Sequence, residues 1–268
     1  MSTARRLAWT SWVLPPLAVL IVLVLWEVLT ATEVLRRSQF PTMTATISQL
    51  GHELGTGDLW SAIGKTLLAW LIGMVITVVV GLVVGTALAF NDFAARSAAP
   101  VIEILKAIPA IAILPLVILT LGSNMTMKVF LICFAALWPF VIQVIYGVRS
   151  MDPVVLDTAK ALGIGGIRRF FTVTVPTASP YLVTGVRIAS AQALILAIIS
   201  EIVGGADGVG RQILLAENTG IDAYPKMYAY ILVAGILGVL LTGTFFLVER
   251  RAMHWHESQR SIREGNNA

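Results

Sequence analysis

The sequence predicts an all-α polytopic membrane protein with six transmembrane helices, and three observations carry that prediction. Hydrophobic residues make up 57% of the chain and charged residues 13%, against roughly 25% charged in a soluble globular domain. The apolar residues gather into six runs, about 12–31, 66–90, 100–121, 128–148, 181–203 and 224–248, each close to or above the ~20 residues that cross a bilayer core as a helix. The basic residues are uneven. Arg149, Lys160, Arg168 and Arg169 are the strongest cluster between any two runs, and Arg250, Arg251, Arg260 and Arg263 follow the last run. Lys and Arg concentrate on the cytoplasmic side of membrane proteins. Residues 149–180 are therefore expected to form a cytoplasmic loop, and 1–11 and 251–268 cytoplasmic termini, of a multi-pass protein of the cell (inner or plasma) membrane.

Taken in order, Arg5 and Arg6 precede the run from Trp12 to Ala31. A signal peptide opens in the same way, but its apolar part is shorter, so this run reads as a retained first span. Trp26 and Glu27 fall near its far end, where both side chains can reach the headgroup zone. Residues 33–63 are polar and read as an extracytoplasmic loop with a short surface helix over 44–54. Gly64-Lys65-Thr66 resembles part of a phosphate-binding loop, but position 59 is a leucine and no strand precedes it, so Lys65 reads as an anchor at the start of the second span. Within that span Gly81 and Gly85, four apart, suit the close approach of a neighbouring helix. Residues 91–99 read as a cytoplasmic turn.

Pro100 opens the third span, which contains Pro109 and Pro115. Prolines free backbone carbonyls, and in a membrane those must be covered by protein or a watery path. The bundle interior is the expected place for this span, with Glu103 and Lys106 three apart and able to pair. After a tight turn at 122–125 comes the fourth span, holding Pro139 and Gln143. The fifth is the most polar, with Arg187, Gln192, Ser200 and Glu201. Such residues face away from lipid, so Pro109, Gln143, Gln192, Ser200 and Glu201 are the candidates for a translocation pathway. Ala189, Ala193 and Ala197 make a small-residue ridge suited to another helix, including the same helix of a second copy. The glycine-rich segment 204–210 follows a span rather than a strand, which excludes a dinucleotide fold; it reads as a flexible extracytoplasmic loop near the pore mouth. A short helix is expected over 213–218, then the sixth span.

Other chemistries are poorly served. Net charge is +4, but the cations are scattered rather than forming the stripe that nucleic acid requires. Cys133 is the single cysteine and offers neither a disulfide nor a cysteine metal site. His52 lies in a loop, and His254 and His256 flank Trp255 in a tail whose last dozen residues read as disordered. An enzyme would need clustered acids, histidines or a nucleophile and its base. A secondary transporter or channel is the remaining rival, for which internal repeats or unwound half-helices would be expected.

Between the fourth and fifth runs the chain reads Asp157-Thr158-Ala159-Lys160-Ala161-Leu162-Gly163, nine residues, then Val173-Thr174-Val175-Pro176. Asp152 as N-cap, Pro153 at the first helical position and Gly163 as a left-handed C-cap predict a short helix with two deliberate ends, followed by a second turn over 167–172. The spacing resembles the signature loop of ABC importer permeases, Glu-Ala-Ala, three residues, Gly, nine residues, Ile, one residue, Leu-Pro. Asp157 stands for the Glu, Thr158 for the first Ala, and Val173 and Val175 for the Ile and Leu, whereas Ala159, Gly163 and Pro176 match outright. Over residues 12–255 the chain is also similar to permeases of the nitrate, sulfonate and taurine importer family. Phe40-Pro41-Thr42, Gly57-Asp58-Leu59-Trp60, the segment Ile108–Leu116, Gly147-Val148-Arg149, Gly185-Val186-Arg187 and the segment Glu201–Gly210 carry that likeness.

The resemblance implies a type I ABC importer permease fold in the form of a homodimer. Each copy would dock one cytoplasmic ABC ATPase through Asp157, Thr158, Ala159, Lys160, Ala161, Leu162, Gly163 and Pro176. An extracytoplasmic solute-binding protein would deliver the solute. It implies no cofactor in this chain, ATP and Mg being bound by the partner ATPase. The solute class implied is a small anion such as a sulfonate, taurine or nitrate, with a thiamine precursor, a riboflavin-like or an aromatic compound as alternatives.

Overall fold

A computed structural model describes residues 3–36 and 39–252. Eleven α-helices run through the described residues, and no strand is found among them. The chain divides into two compact units, Met1–Ala62 with Gln212–Val233 and Ile63–Arg211 with Ala234–Ala268.

In the first unit, α1 (Thr3–Ala31) begins well before the apolar run, and α2 (Met43–Leu54) is the expected short helix. Thr42 caps α2 by accepting from the Ala45 amide at 3.2 Å. Trp26 and Glu27 are engaged by protein: the indole donates to the Pro41 carbonyl at 3.1 Å, and the carboxylate accepts from the Thr44 amide and hydroxyl at 3.1 and 2.8 Å. An acid at a helix N-terminus is favoured by the exposed amides there. Buried Glu53 of α2 accepts from Gln49 at 2.9 Å and from the Tyr230 hydroxyl at 3.1 Å, and pairs with Lys226 at 3.2 Å. Burial pushes its carboxyl up, but the bonds from Gln49 and Lys226, the Lys226 charge and the Tyr230 bond together hold it below the ordinary range.

The second unit is built around α6 (Met125–Arg149) and α9 (Val175–Gly204), with α3 (Gly57–Ala89) against both. Met127, Leu131, Ile132, Phe140 and Val144 of α6 are fully buried. Gly81 and Gly85 meet α6 as their spacing predicts: a Cβ at either would strike Phe140 or Val144. Ala189, Ala193 and Ala197 are also fully buried inside this chain, in the same cluster as Met74 and Phe140. Their ridge is therefore consumed by the chain's own helices, which corrects the expectation that a second copy could use it. Trp70 of α3 donates to the Ser190 carbonyl at 3.1 Å, which shows how close α3 and α9 come.

Two further boundaries differ from expectation. α3 starts at Gly57 rather than near Thr66, because hydropathy marks where lipid begins, whereas backbone hydrogen bonding continues beyond it. The turn expected over 91–99 is helical. Asn91 caps α4 (Asp92–Ala107) by accepting from the Ala94 amide at 3.0 Å, and Pro100 lies inside that helix instead of opening a span. The third crossing is then a broken one. α4 stops at Ile108-Pro109, a 3-10 turn covers Ala110–Ile113, and α5 (Leu114–Leu121) leaves at 76°. Pro115 sits in the first turn of α5, where its missing N–H has no partner to lose. The interior position expected for this span holds for Ile102, Leu114 and Val117; Ile104, Leu116 and Leu119 are exposed.

Gly57–Ala89, Met125–Arg149, the stretch Gly166–Thr219 and Ile221–Glu249 are long and apolar enough to cross a membrane; the bent pair makes a fifth, and α1 adds the shorter apolar segment Pro16–Ala31. Two short helices, α7 (Pro153–Ala161) and α8 (Gly166–Arg169), lie between α6 and α9. The segment expected to be a short helix over 213–218 is α10 (Val209–Thr219), and α11 (Tyr224–Ala252) closes the described chain. His254, Trp255, His256, Arg260 and Arg263 lie outside the described residues.

Candidate functional site

The second unit has two ends with different chemistry. At one, α7 follows α6 with both termini capped. Asp152 accepts from the Val154 amide at 2.8 Å, and Pro153 fills the first helical position. At the other terminus Gly163 takes φ +70°. Its amide bonds Lys160 O at 3.0 Å and that of Ile164 bonds Ala159 O at 2.9 Å. This paired arrangement satisfies the last carbonyls and needs a residue free to be left-handed. Asp157 and Lys160 pair at 2.9 Å on the surface, and Thr158 donates to the Val154 carbonyl at 2.7 Å. Ala159 alone of this helix is buried. Val154, Val155 and Leu162 are exposed, and Leu162, at 71%, is among the most open apolar side chains of the unit together with Ile167 at 79%. Beyond α8 the chain widens into a π turn, Phe170–Thr174, before Pro176 in the first turn of α9.

At the opposite end three helices converge on one carboxylate. Glu201, a turn before the end of α9, is fully buried, and Lys128 of α6 is 1% exposed. They pair at 2.5 Å. Thr66 of α3 donates to the same carboxylate at 2.9 Å, and the Gly210 amide donates to it at 2.9 Å. Lys128 also donates to Lys65 O at 3.2 Å and to Asp207 O at 2.8 Å, and Thr66 accepts from the Val209 amide at 3.0 Å. Ser123, in the turn leaving α5, donates to the Gly204 carbonyl. Above this layer the Asp207 carboxylate, beyond the end of α9, accepts from Lys65 at 2.8 Å and Arg211 at 2.7 Å. The Lys65 hydrogen bond leads the interactions that hold the Asp207 carboxyl below its ordinary value.

The pathway candidates differ in exposure. Pro109 is exposed at the break between α4 and the 3-10 turn, Gln192 is exposed on α9, and Gln143 is half-buried; a Cβ at Gly185 would strike its stem. Ser200 is buried and donates to Ala197 O at 2.7 Å. The segment 204–210, expected to be flexible, is pinned instead through Asp207, Val209 and Gly210. Composition alone missed Lys128 and Thr66, each of which reads as a residue at the lip of an apolar run. A lysine opening one run and an acid closing another at matching depth was the available signal.

Comparison with known proteins identifies this architecture. Residues 77–254 match the family described as binding-protein-dependent transport system inner membrane component. A Bacillus subtilis protein named as an aliphatic sulfonates transport permease, SsuC, is 24% identical over 95% of this chain and 90% of its own length. The Synechocystis protein named nitrate import permease NrtB is 25% identical over 85% of this chain and 84% of its own. Among solved structures, an inward facing form of the MetNI methionine ABC transporter superposes with a TM-score of 0.59 at 20% identity, covering 72% of this chain and 94% of that one, a likeness of fold. The chain belongs to the binding-protein-dependent transport system inner membrane components, the permease family of ABC importers.

Proposed function

We propose that this chain forms the translocation pathway of an ATP-driven importer for a small anionic solute, with ATP hydrolysed by a separate cytoplasmic subunit that docks on α7. The observation that carries this is α7 itself. A helix capped at both ends and packed on the unit through buried Ala159 and half-buried Leu156 shows Val154, Val155 and Leu162 to the outside, and Ile167 of α8 is exposed as well. Exposed apolar residues on a rigid, preset element favour a partner surface over solvent. Asp157, Thr158, Lys160 and Ala161 supply a polar margin, Gly163 the fixed exit, and Pro176 a stiff start to α9. The basic cluster Arg149, Lys160, Arg168 and Arg169 favours a cytoplasmic position for this end, with both termini inside and six crossings in all.

The chemistry asked of the chain is mechanical. ATP-driven approach of two docked subunits would move the two α7 helices of a homodimer, and the packed α3, α6 and α9 would carry that movement to the opposite end. Ligands that bind the two states differently by a few kcal/mol suffice to switch such a pair. Gln143, Gln192 and the Pro109 break remain the pathway candidates with surface to offer. The sulfonate and nitrate names of relatives support an anion, delivered by an extracytoplasmic binding protein. Purification of the native complex tests the reading: an ABC ATPase should accompany the chain, and uptake should stop when ATP is withheld. A chain that purifies alone and transports without nucleotide overturns it.

A further inference from the structure

The buried ion pair has no capacity left for a solute. Every donor of Lys128 is engaged, by Glu201, Lys65 O and Asp207 O. The Glu201 carboxylate accepts from Lys128, Thr66 and the Gly210 amide. Its role must lie in what it holds, and what it holds is the backbone between α9 and α10. Asp207 is fixed by its carbonyl, Val209 and Gly210 by their amides. Glycine-rich backbone loses the most freedom on ordering, so anchors drawn from α3, α6 and α9 mark a segment whose shape matters. The packing excludes any side chain at Gly208, where a Cβ would fall on the Glu201 carboxylate.

The held segment carries a polar rim. Lys65, Asp207 and Arg211 stand about half exposed around a recess of about 300 Å³ that Ser123 and Asn124 also line. Two cations share one carboxylate there, leaving one positive charge. The rim lies on the ends of the helices opposite α7, pointing outward. Resting on the reading of this chain as an import permease, we propose that Lys128 and Glu201 are positioning residues for the encounter with the solute-binding protein. They hold the 205–211 segment as a preset docking rim, so that its ordering is complete before the partner arrives, and such preorganisation lowers the cost of association.

The test uses the assembled complex with its ATPase in nanodiscs, and purified binding protein loaded with solute. Amide exchange over 205–211 reports the rim, and the dependence of uptake on binding-protein concentration reports the encounter. Lys128→Met and Gly208→Ala should each speed exchange by roughly tenfold or more, as local opening becomes easier. Both should raise the half-saturating concentration of binding protein several-fold while the maximal rate changes far less. Exchanging the charges, Lys128→Glu with Glu201→Lys, should recover neither loss, because it sets a carboxylate against the Lys65 and Asp207 carbonyls and an ammonium against the Gly210 amide. Should Lys128→Met fail to assemble, Gly208→Ala carries the test, since it keeps both charged side chains and only crowds the segment off the Glu201 carboxylate. Unchanged exchange in Gly208→Ala overturns the proposal. So does a rim that loosens with the half-saturating concentration unmoved, or a fall confined to the maximal rate, which would return the pair to the pathway. Wild-type uptake indifferent to binding protein would defeat the import reading itself, a result distinct from these.

Discussion

The two ends of the second unit are tied by different physics. Around Glu201 the ties are buried, charged and saturated, linking α3, α6 and α9 to the loop that follows. Around α7 they lie in the open: Arg149 reaches Asp92 at 2.7 Å, and Lys106 reaches Glu103 at 2.8 Å. The backbone there passes through a left-handed glycine and a π turn. A buried pair costs heavily to break, whereas an exposed one is weak and readily remade. One end is thereby committed to a single shape, and the other is tied by pairs that salt and water weaken.

Mutation can break that contrast or sharpen it. Lys128→Ala should have the largest effect. It leaves the Glu201 charge buried without its cation, and should cost about 3–5 kcal/mol in thermal or denaturant unfolding of the purified complex. Gly163→Pro comes next: proline is locked near φ −65° and cannot take the +70° found there. Uptake should be lost while membrane insertion, followed by fractionation, stays intact; normal uptake would count against docking on α7. Asp152→Ala removes the α7 cap and should cost about 1 kcal/mol of local stability, seen as faster amide exchange at Val154 and Val155. Arg149→Ala, at the same end, should change stability by less than about 1 kcal/mol and lose even that in high salt; a cost matching that of Lys128→Ala would erase the difference between the ends.

The first unit supplies an intermediate case and the mildest effect. Glu53 is buried but meets a half-exposed Lys226, and its pKa lies below the ordinary value. A carboxyl depressed in the folded state contributes fully above that ordinary value and loses its contribution as pH falls through the depressed one. Melting temperature should therefore decline on acidification below the usual carboxylate range, and Glu53→Gln should flatten that part of the curve.

Much of α7 is legible in the sequence because its signals are local. Asp152, Pro153 and Gly163 act within a few residues of themselves, so their chemistry predicts the ends of α7 directly. The long apolar helices were also legible, since lipid demands continuous runs. Their starts were not: polar first turns such as Gly57 to Ile63 continue a helix that hydropathy cannot see. The clasp was the least readable feature. Thr66, Lys128 and Glu201 are far apart in the chain, each is unremarkable alone, and only the packing of α3, α6 and α9 gives them a common depth. Glu201 was conspicuous as an acid in an apolar run, yet nothing near it named its cation. The Ala189, Ala193 and Ala197 ridge is legible as a contact face while its neighbour is not, because spacing reports a surface and not its occupant.

The π turn over Phe170–Thr174 separates α8 from α9, and its last residue keeps a buried hydroxyl for which no hydrogen-bond acceptor is found among the described residues. Such a turn holds one residue more than regular winding would. Deleting a single residue from it would restore the ordinary pitch and turn α8 around the α9 axis by about 100°, the angle one residue subtends on a helix. The angle at which α8 enters α9 is thus set by a count of residues.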